Sequence, residues 1–337
     1  MKGLSKILGI IILVGLVMSV VAFFTGLDPM NLRAFFTDED AFSEMLTETT
    51  DKQITSLEME LQTRDITVHY VEESQIRVTY YAKIDKDTWT FDDSVDGVYS
   101  IIQKEKYEWF SFNFKFTPSE LRQVNVYIPS DWILAYDLST NTGSIKLQFE
   151  SEKMTDTVTL HSDTGSIYLN YVHAETLDLQ TDTGSVIIRD TISESWIKAD
   201  SDTGGVVLTD VDGTDMTLTT NTGSVTLTNV SGNVLDCDVD TGRISITDST
   251  FTSTVTLKTD TGDVTINEVV GTSFDIKSST GDVRVTMSDT SSLRYDLETD
   301  TGNIKIDGQD QGDRHSTSSG TIMFKVDVNT GNIRINS

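Results

Sequence analysis

One cysteine, three prolines and a shortage of basic residues set the first limits on this chain. Cys237 stands alone, so no internal disulfide can form, and the body must be held by packing and backbone ladders. Pro29, Pro118 and Pro129 are the only prolines, and the last 208 residues have none. Every backbone N–H in that stretch is therefore free to donate into a ladder. Aromatic residues make up 8% of the chain, and most lie before residue 133. Lys and Arg total 25 against 53 Asp and Glu, a formal charge of −28. That balance argues against nucleic acid as a partner, because phosphate neutralisation needs clustered cations. It also argues against a body lying flat on an anionic membrane, and it is compatible with binding cations or basic partners.

Long apolar runs are scarce too, with one exception. Ile7 to Phe24 is a run of 18 residues without charge, and Thr25, Gly26 and Leu27 extend it to the ~20 residues that span a bilayer as a helix. Lys2 and Lys6 precede it, while Asp28, Asp38, Glu39 and Asp40 follow. The positive flank stays inside, so the rest of the chain is expected outside. The competing reading is a cleaved signal peptide with its site at Val20-Val21-Ala22. Bulky Phe23-Phe24 and the length of the run favour a retained anchor.

What the chain has in abundance is a tripeptide. Asn141-Thr142-Gly143, Asp163-Thr164-Gly165, Asp182-Thr183-Gly184 and Asp202-Thr203-Gly204 are followed by Asn221-Thr222-Gly223 and Asp240-Thr241-Gly242. Asp260-Thr261-Gly262, Ser279-Thr280-Gly281, Asp300-Thr301-Gly302 and Asn329-Thr330-Gly331 complete the series. The first nine glycines are 19 to 22 residues apart and the last gap is 29, as though one coil carried an insertion. A fixed period near twenty marks a solenoid. Two and four residues after each Gly the side chain is apolar, as at Ile145 and Leu147 or Val225 and Leu227. Five and seven before it, apolar residues recur, as at Leu177 and Leu179 or Phe274 and Ile276. This period-two alternation on both sides of a turn predicts two strands per coil and four inward side chains. The expected fold is all-β, a parallel β-solenoid of about ten coils, with Gly supplying positive φ at each corner. The Asp, Asn or Ser two residues earlier is expected to bond its own backbone there.

The expected organisation is a cytoplasmic tip and transmembrane helix over 1–27 and a partly helical juxtamembrane stalk over 28–50. A β-rich cap follows over 51–135, then the solenoid over 136–337. Weak helical spacing runs from Asn31 to Thr50. Strands are predicted at Ile66–Val71, at Gln75–Ala82 and in the alternating run Phe110, Phe112, Phe114, Phe116, with Trp89, Tyr107, Trp109 and Trp132 covering the first coil. Gly308 to Gly320 reads as a polar loop in the last coil.

The period, the Asp/Asn-Thr-Gly corners, the segment Val124-Asn125-Val126-Tyr127-Ile128-Pro129 and the N-terminal apolar run together resemble one family. It is the bacterial family of domain of unknown function 4097, an adhesin-type family with β-strand repeats, and the likeness covers roughly residues 51–337. The resemblance implies an envelope-exposed, often membrane-anchored protein. Some members resemble components encoded near cell-envelope stress-response genes. It implies no catalytic residues and no cofactor.

Sharper chemistries fit the same residues less well. Asp163-Thr164-Gly165-Ser166 and Asp182-Thr183-Gly184-Ser185 match the aspartic-protease string, but that chemistry needs two facing loops sharing one proton. Here the aspartates recur along one edge. The ladder Asp163, Asp182, Asp202, Asp240, Asp260 and Asp300 is the one candidate for Ca²⁺, with a metal-free hydrogen-bonded edge the preferred reading. The outward position three after Gly holds Lys146, Tyr168, Ile187, Val207, Thr226, Ser245, Thr265, Arg284, Lys305 and Arg334, which is no threonine plane for ice. His69, His161, His173 and His315 lack ligand spacing, and Cys237 falls on an inward position. The expectation is a non-enzyme that contacts another envelope protein or a surface ligand, either as an adhesion module or within a stress-response system.

Overall fold

The protein is described from a computed structural model that covers residues 41–106, 117–288 and 290–337. Over these residues the chain is predominantly strand, and the only α-helix among them is the four-residue Ser119–Arg122. Successive repeats stack in parallel with matching positions opposite each other. Leu160, Leu179, Ala199, Leu218 and Cys237 follow one another up one side, and Ile167, Val186, Val206, Val225 and Ile244 up the other. Both sets are buried, so the inward pattern expected from the alternation is the observed core. Adjacent strands lie ~4.8 Å apart along the stack.

The corner glycines are needed for a reason the repeat did not disclose. A Cβ on any of the ten would lie 1.5 to 2.1 Å from a backbone carbonyl oxygen of the neighbouring coil. Eight of them also adopt φ between 148° and 158°, but Gly223 and Gly302 are not among those with positive φ. At Gly223 the requirement is therefore close approach, with the Gly204 carbonyl oxygen 1.7 Å from any added Cβ. At seven of the ten corners the carbonyl is met instead by a buried hydroxyl one residue before the Asp/Asn. Ser162 Oγ donates to Gly143 O at 2.8 Å, Thr181 Oγ1 to Gly165 O at 2.7 Å and Thr220 Oγ1 to Gly204 O at 2.8 Å. Among the described residues none of the six corner aspartates accepts a hydrogen bond from its own corner. The expected Asx-type bond gives way to this hydroxyl ladder.

Two strands per coil also proves too few for the central coils. Six residues after the corner Gly the chain turns again through left-handed residues that are not glycine. Tyr171, Asp190, Asp210, Asn229, Asp248 and Glu268 have φ between 44° and 57°. Asp and Asn tolerate this region and disguise it as ordinary surface. Beyond it runs a short third ladder, with Thr191 opposite Val211, Val211 opposite Val230, and Thr250 opposite both Ser231 and Val270. Val172, Val211, Val230 and Phe251 point inward from it and close the core.

The two ends depart from chain order. Ser56–Leu61 and Asp65–Val71 form a rung in the same register as the repeats, although they fall in the segment expected as cap. Val98–Glu105 and Gln123–Pro129 lie outside them. The first coil in sequence is thus second in space. The far end mirrors this. Ile322–Thr330 and Ile333–Asn336 sit between the Gly281 coil and the Gly302 coil, so the last coil in sequence is next to last in space. The polar insertion expected at Gly308 to Gly320 holds two short strands that cover the outermost coil antiparallel, Gln309–Gly312 on Ile304–Ile306 and Arg314–Ser316 on Leu293–Thr301. At the first end Asp87–Asp92 and Ile76–Tyr80 do the same, and Leu46–Thr50 pairs with Ile76–Tyr80. Antiparallel covers deny a further parallel strand its register, which blunts the sheet edges.

Leu46–Thr50 corrects the helical spacing read up to Thr50; its burial is that of an exposed edge strand. Trp89 and Trp132 pack against the core as expected of a cap. Tyr107, Trp109 and the alternating phenylalanines fall outside the described residues, as does the apolar run at 7–24. Among the described residues no helix is long and apolar enough to cross a membrane.

Candidate functional site

The stacked registers turn single residues into rows, and the two long sides carry opposite chemistry. On the side leading into the corners, the two outward rows run from Glu58 and Glu60 to Asp296 and Glu298. Between them lie Asp137, Asp178, Asp200, Asp236, Asp238, Asp275 and Asp327. Four lysines in the same rows, Lys198, Lys258, Lys277 and Lys325, offset them in part; Lys258 Nζ lies 2.9 Å from Asp238 and Lys198 Nζ 3.4 Å from Asp178. The hydrogen bond to Asp238 raises the Lys258 ammonium above its ordinary value, with Asp260 and Asp240 adding to it.

On the side leaving the corners, the two outward rows contain no aspartate or glutamate until Asp307 in the outermost coil. One runs from Asn125 and Thr67 through Lys146, Tyr168, Ile187 and Val207 to Arg284, Arg334 and Lys305. The other runs from Gln148 through Asn170, Arg189 and Thr209 to Asn336. Lys146 Nζ stands 5.7 Å from the Tyr168 ring centre. Acids return only at the margins, at the left-handed corner (Asp190, Asp210, Asp248, Glu268) and beside the corner glycines. There Asp263 takes Arg284 Nη1 at 2.6 Å, and Asp282 takes Arg284 Nη2 and Arg334 Nη1 at 2.8 Å each. The Arg284 hydrogen bond holds the Asp263 carboxyl below the usual carboxylate range. Burial alone would raise Asp282, but the Asn332 N–H and Arg334 pull it below that range.

The sequence candidates are dispersed along the array. Asp182, Asp202, Asp240, Asp260 and Asp300 are exposed and Asp163 is half-exposed. Asp163 pairs with His161 Nε2 at 3.0 Å and Asp202 accepts from Asn221 at 3.1 Å. Among the described residues no group of three or more His, Cys, Asp or Glu is placed to hold a metal ion. Cys237 is fully buried in the inward row, and burial pushes its thiol well above the ordinary range. His69 stacks on Tyr127 at 5.0 Å. His173 lies between Glu152 and Glu194, 2.9 and 3.1 Å away on neighbouring coils.

One charged cluster escaped the sequence reading. Arg64 stands where later coils have glycine, and its side chain is 1% exposed. It pairs with the buried Asp87, which also takes Gln103 Nε2 at 3.0 Å and the Lys83 N–H at 2.7 Å. The guanidinium lies 5.5 Å from the Phe42 ring centre and 5.8 Å from that of Trp89. Burial lowers Arg64 from its ordinary value, against Asp87 and Glu105.

Fold and surface define a capped, mostly parallel β-solenoid whose two long faces differ in charge. The chain belongs to the Toastrack DUF4097 family, whose model matches residues 54–225 and 214–337. No curated protein matches it. Among solved structures, similarity extends to a "putative cell adhesion protein" from Clostridium sporogenes, 12% identical, covering 87% of this chain and 99% of that one at a TM-score of 0.27. It extends also to a "putative adhesin" from Bacteroides fragilis, again 12% identical, covering 87% of this chain and 97% of that one at 0.37. At those scores neither likeness bears on function.

Proposed function

We propose that this protein is a non-enzymatic interaction module of the bacterial cell envelope, anchored in the cytoplasmic membrane by residues 7–27 with the solenoid outside, and that it binds another envelope protein through its acid-poor face. The observation that carries this reading is the charge contrast between the two long faces. In a chain of −28 net charge, two outward rows whose one acid is Asp307 in the outermost coil stand out. Their content fits an interface: Tyr168, Ile187 and Val207 on consecutive coils, with Lys146 and Arg189 beside them and carboxylates only at the margins. Interface centres are depleted of Asp and Glu and enriched in aromatic residues and Arg, with polar rims. The array also has the form of a rigid spacer, which suits a module that must project from a membrane. No particular observation favours the stress-response role over adhesion.

The test is a photo-crosslinking residue placed at Ile187, and separately at Asp178, in the full-length protein on living cells. The expected result is a discrete adduct from Ile187 that is lost with Tyr168→Asp/Val207→Asp, and none from Asp178. Equal labelling from both faces, or no discrete adduct from Ile187, contradicts the reading. Sequencing the N-terminus of the membrane-extracted chain tests the anchor separately; a mature form beginning near Phe23 and found in the medium overturns it.

A further inference from the structure

The C-terminal coil fills a slot that the rest of the chain leaves open. After the Gly281 coil the chain does not pair with its nearest edge. Leu293–Thr301 and Ile304–Ile306 form the outermost coil about 10 Å from the Gly281 coil, two spacings of ~4.8 Å. Without residues 322–336 that outer coil would pair only with its own short covers, Gln309–Gly312 and Arg314–Ser316. The final coil bridges it to the array on both sides: Thr280 pairs with Thr330 and Thr330 with Thr301, Val283 with Ile333 and Ile333 with Ile304.

Three features make this coil exchangeable between molecules. Its two strands sit at one end of the stack, beside the outermost coil. Its inward residues Phe324, Val326, Ile333 and Ile335 and its Asn-Thr-Gly corner repeat the common pattern, so the slot reads the same register from any copy. Its connection is long and exposed. The covers are short, and residues 307–321 would reach about 50 Å if they peeled away, at ~3.4 Å per residue. We infer that two copies of this chain form a dimer by exchanging their C-terminal coils, each inserting residues 322–336 between the Gly281 and Gly302 coils of the other. The ladder pairs of the inserted coil are kept in such a dimer, while the two short covers give up theirs as the connection changes course. The acidic surface opposes the approach of two copies, so exchange grows with protein concentration and with salt that screens the repulsion.

The test uses two full-length variants, one with Thr280→Cys and the other with Thr330→Cys. These positions face each other across the slot, and neither variant carries the partner thiol in its own chain. Cys237 is buried and takes no part. The two are denatured together, refolded at high concentration in salt, and oxidised. Exchange predicts a disulfide-linked heterodimer that increases with concentration and exceeds several-fold a control in which Thr261→Cys, one coil further away, replaces Thr280→Cys. The single-chain variant Thr280→Cys/Thr330→Cys checks that refolding restores the slot by closing within one chain at low concentration. If it closes internally at every concentration and the mixed pair yields no more heterodimer than the control, exchange is overturned. If it fails to close at all, the slot itself is wrong and the proposal falls with it.

Discussion

The middle of the array and its ends obey different rules. From Gly143 to Gly281 each coil rests on the one before it in sequence, and glycine, hydroxyl and four apolar side chains recur at fixed positions. At the ends the chain doubles back, the terminal coils become interior ones, and side chains appear that the repeat would forbid. Arg64 is the sharpest case. It stands where later coils have a corner glycine, and its buried guanidinium pairs with Asp87. Periodic sequence therefore specifies what a coil is, while its place in the stack depends on which edges remain to be covered. An end must be closed, and here the closing is done by antiparallel strands and a buried ion pair.

That contrast can be broken first at the glycines. Gly242→Ala forces a Cβ to within 1.5 Å of the Gly223 carbonyl oxygen and is expected to cost roughly 3–5 kcal/mol through overpacking and strain. Asp240→Asn should cost little, since Asn already fills that position at 141, 221 and 329. Gly302→Ala meets the same kind of clash in an outermost coil that can lift away, so its cost should be clearly smaller. Denaturant midpoints of the three variants check the order; equal losses at Gly242 and Gly302 would erase the distinction between middle and end.

Next in size is the ion pair of the first end. Arg64→Met leaves Asp87 buried without its partner and is expected to destabilise by about 3–5 kcal/mol. Arg64→Met/Asp87→Asn should recover much of the loss. A double variant no better than the single one would show that Arg64 acts by packing on Phe42 and Trp89 rather than by charge.

Smaller still is the hydroxyl ladder. Thr220→Val removes the donor to Gly204 O and should cost about 1–2 kcal/mol. The same position in the next coil is already Val239, so Val239→Thr offers the Gly223 carbonyl a donor and should be neutral or stabilising. A loss in Val239→Thr as large as in Thr220→Val would mean that the ladder contributes nothing there.

Acid should act at the C-terminal end before the middle. Asp263 and Asp282 both have folded pKa values below their ordinary ones. Their contribution is fully present above the unfolded carboxylate pKa of about 4 and is lost as pH falls through the lower folded values. Asp282 ties the Gly281 coil to the inserted coil through the Asn332 N–H at 2.8 Å and Arg334 at 2.8 Å. Hydrogen exchange of Ile333–Asn336 should therefore accelerate below pH 4 ahead of Val225–Gly232. Simultaneous loss of protection in both would count against that role for Asp282.

Much of this could be read from the residues alone. The ten corners, the four inward positions and the burial of Cys237 followed from spacing, because a period of two on either side of a turn leaves little freedom. The third ladder did not, because its turn is made by Asp190, Asp210 and Asn229, which look like ordinary surface, and by Tyr171 and Glu268, which carry no turn signal. The hydroxyls at Ser162, Thr181 and Ser201 were visible as polar residues, yet their partner is a carbonyl on another coil. The 29-residue gap before Gly331 marked an insertion, but local sequence cannot say that the coil after it turns back into the stack. The charge contrast between faces emerged only once register was known, since it sums residues about twenty positions apart.

The stacking order at the C-terminal end tests the whole picture most directly. Three double-cysteine variants of the full-length protein, Thr280→Cys/Thr330→Cys, Thr301→Cys/Thr330→Cys and Thr280→Cys/Thr301→Cys, can be oxidised at low concentration and compared. A disulfide needs Cα atoms within about 7 Å. The first two pairs are adjacent across ladders and should close readily, whereas the third is separated by the inserted coil and should not. Ready closure of Thr280→Cys/Thr301→Cys, with failure of Thr280→Cys/Thr330→Cys, would mean that the coils stack in simple chain order and that the end described here is wrong.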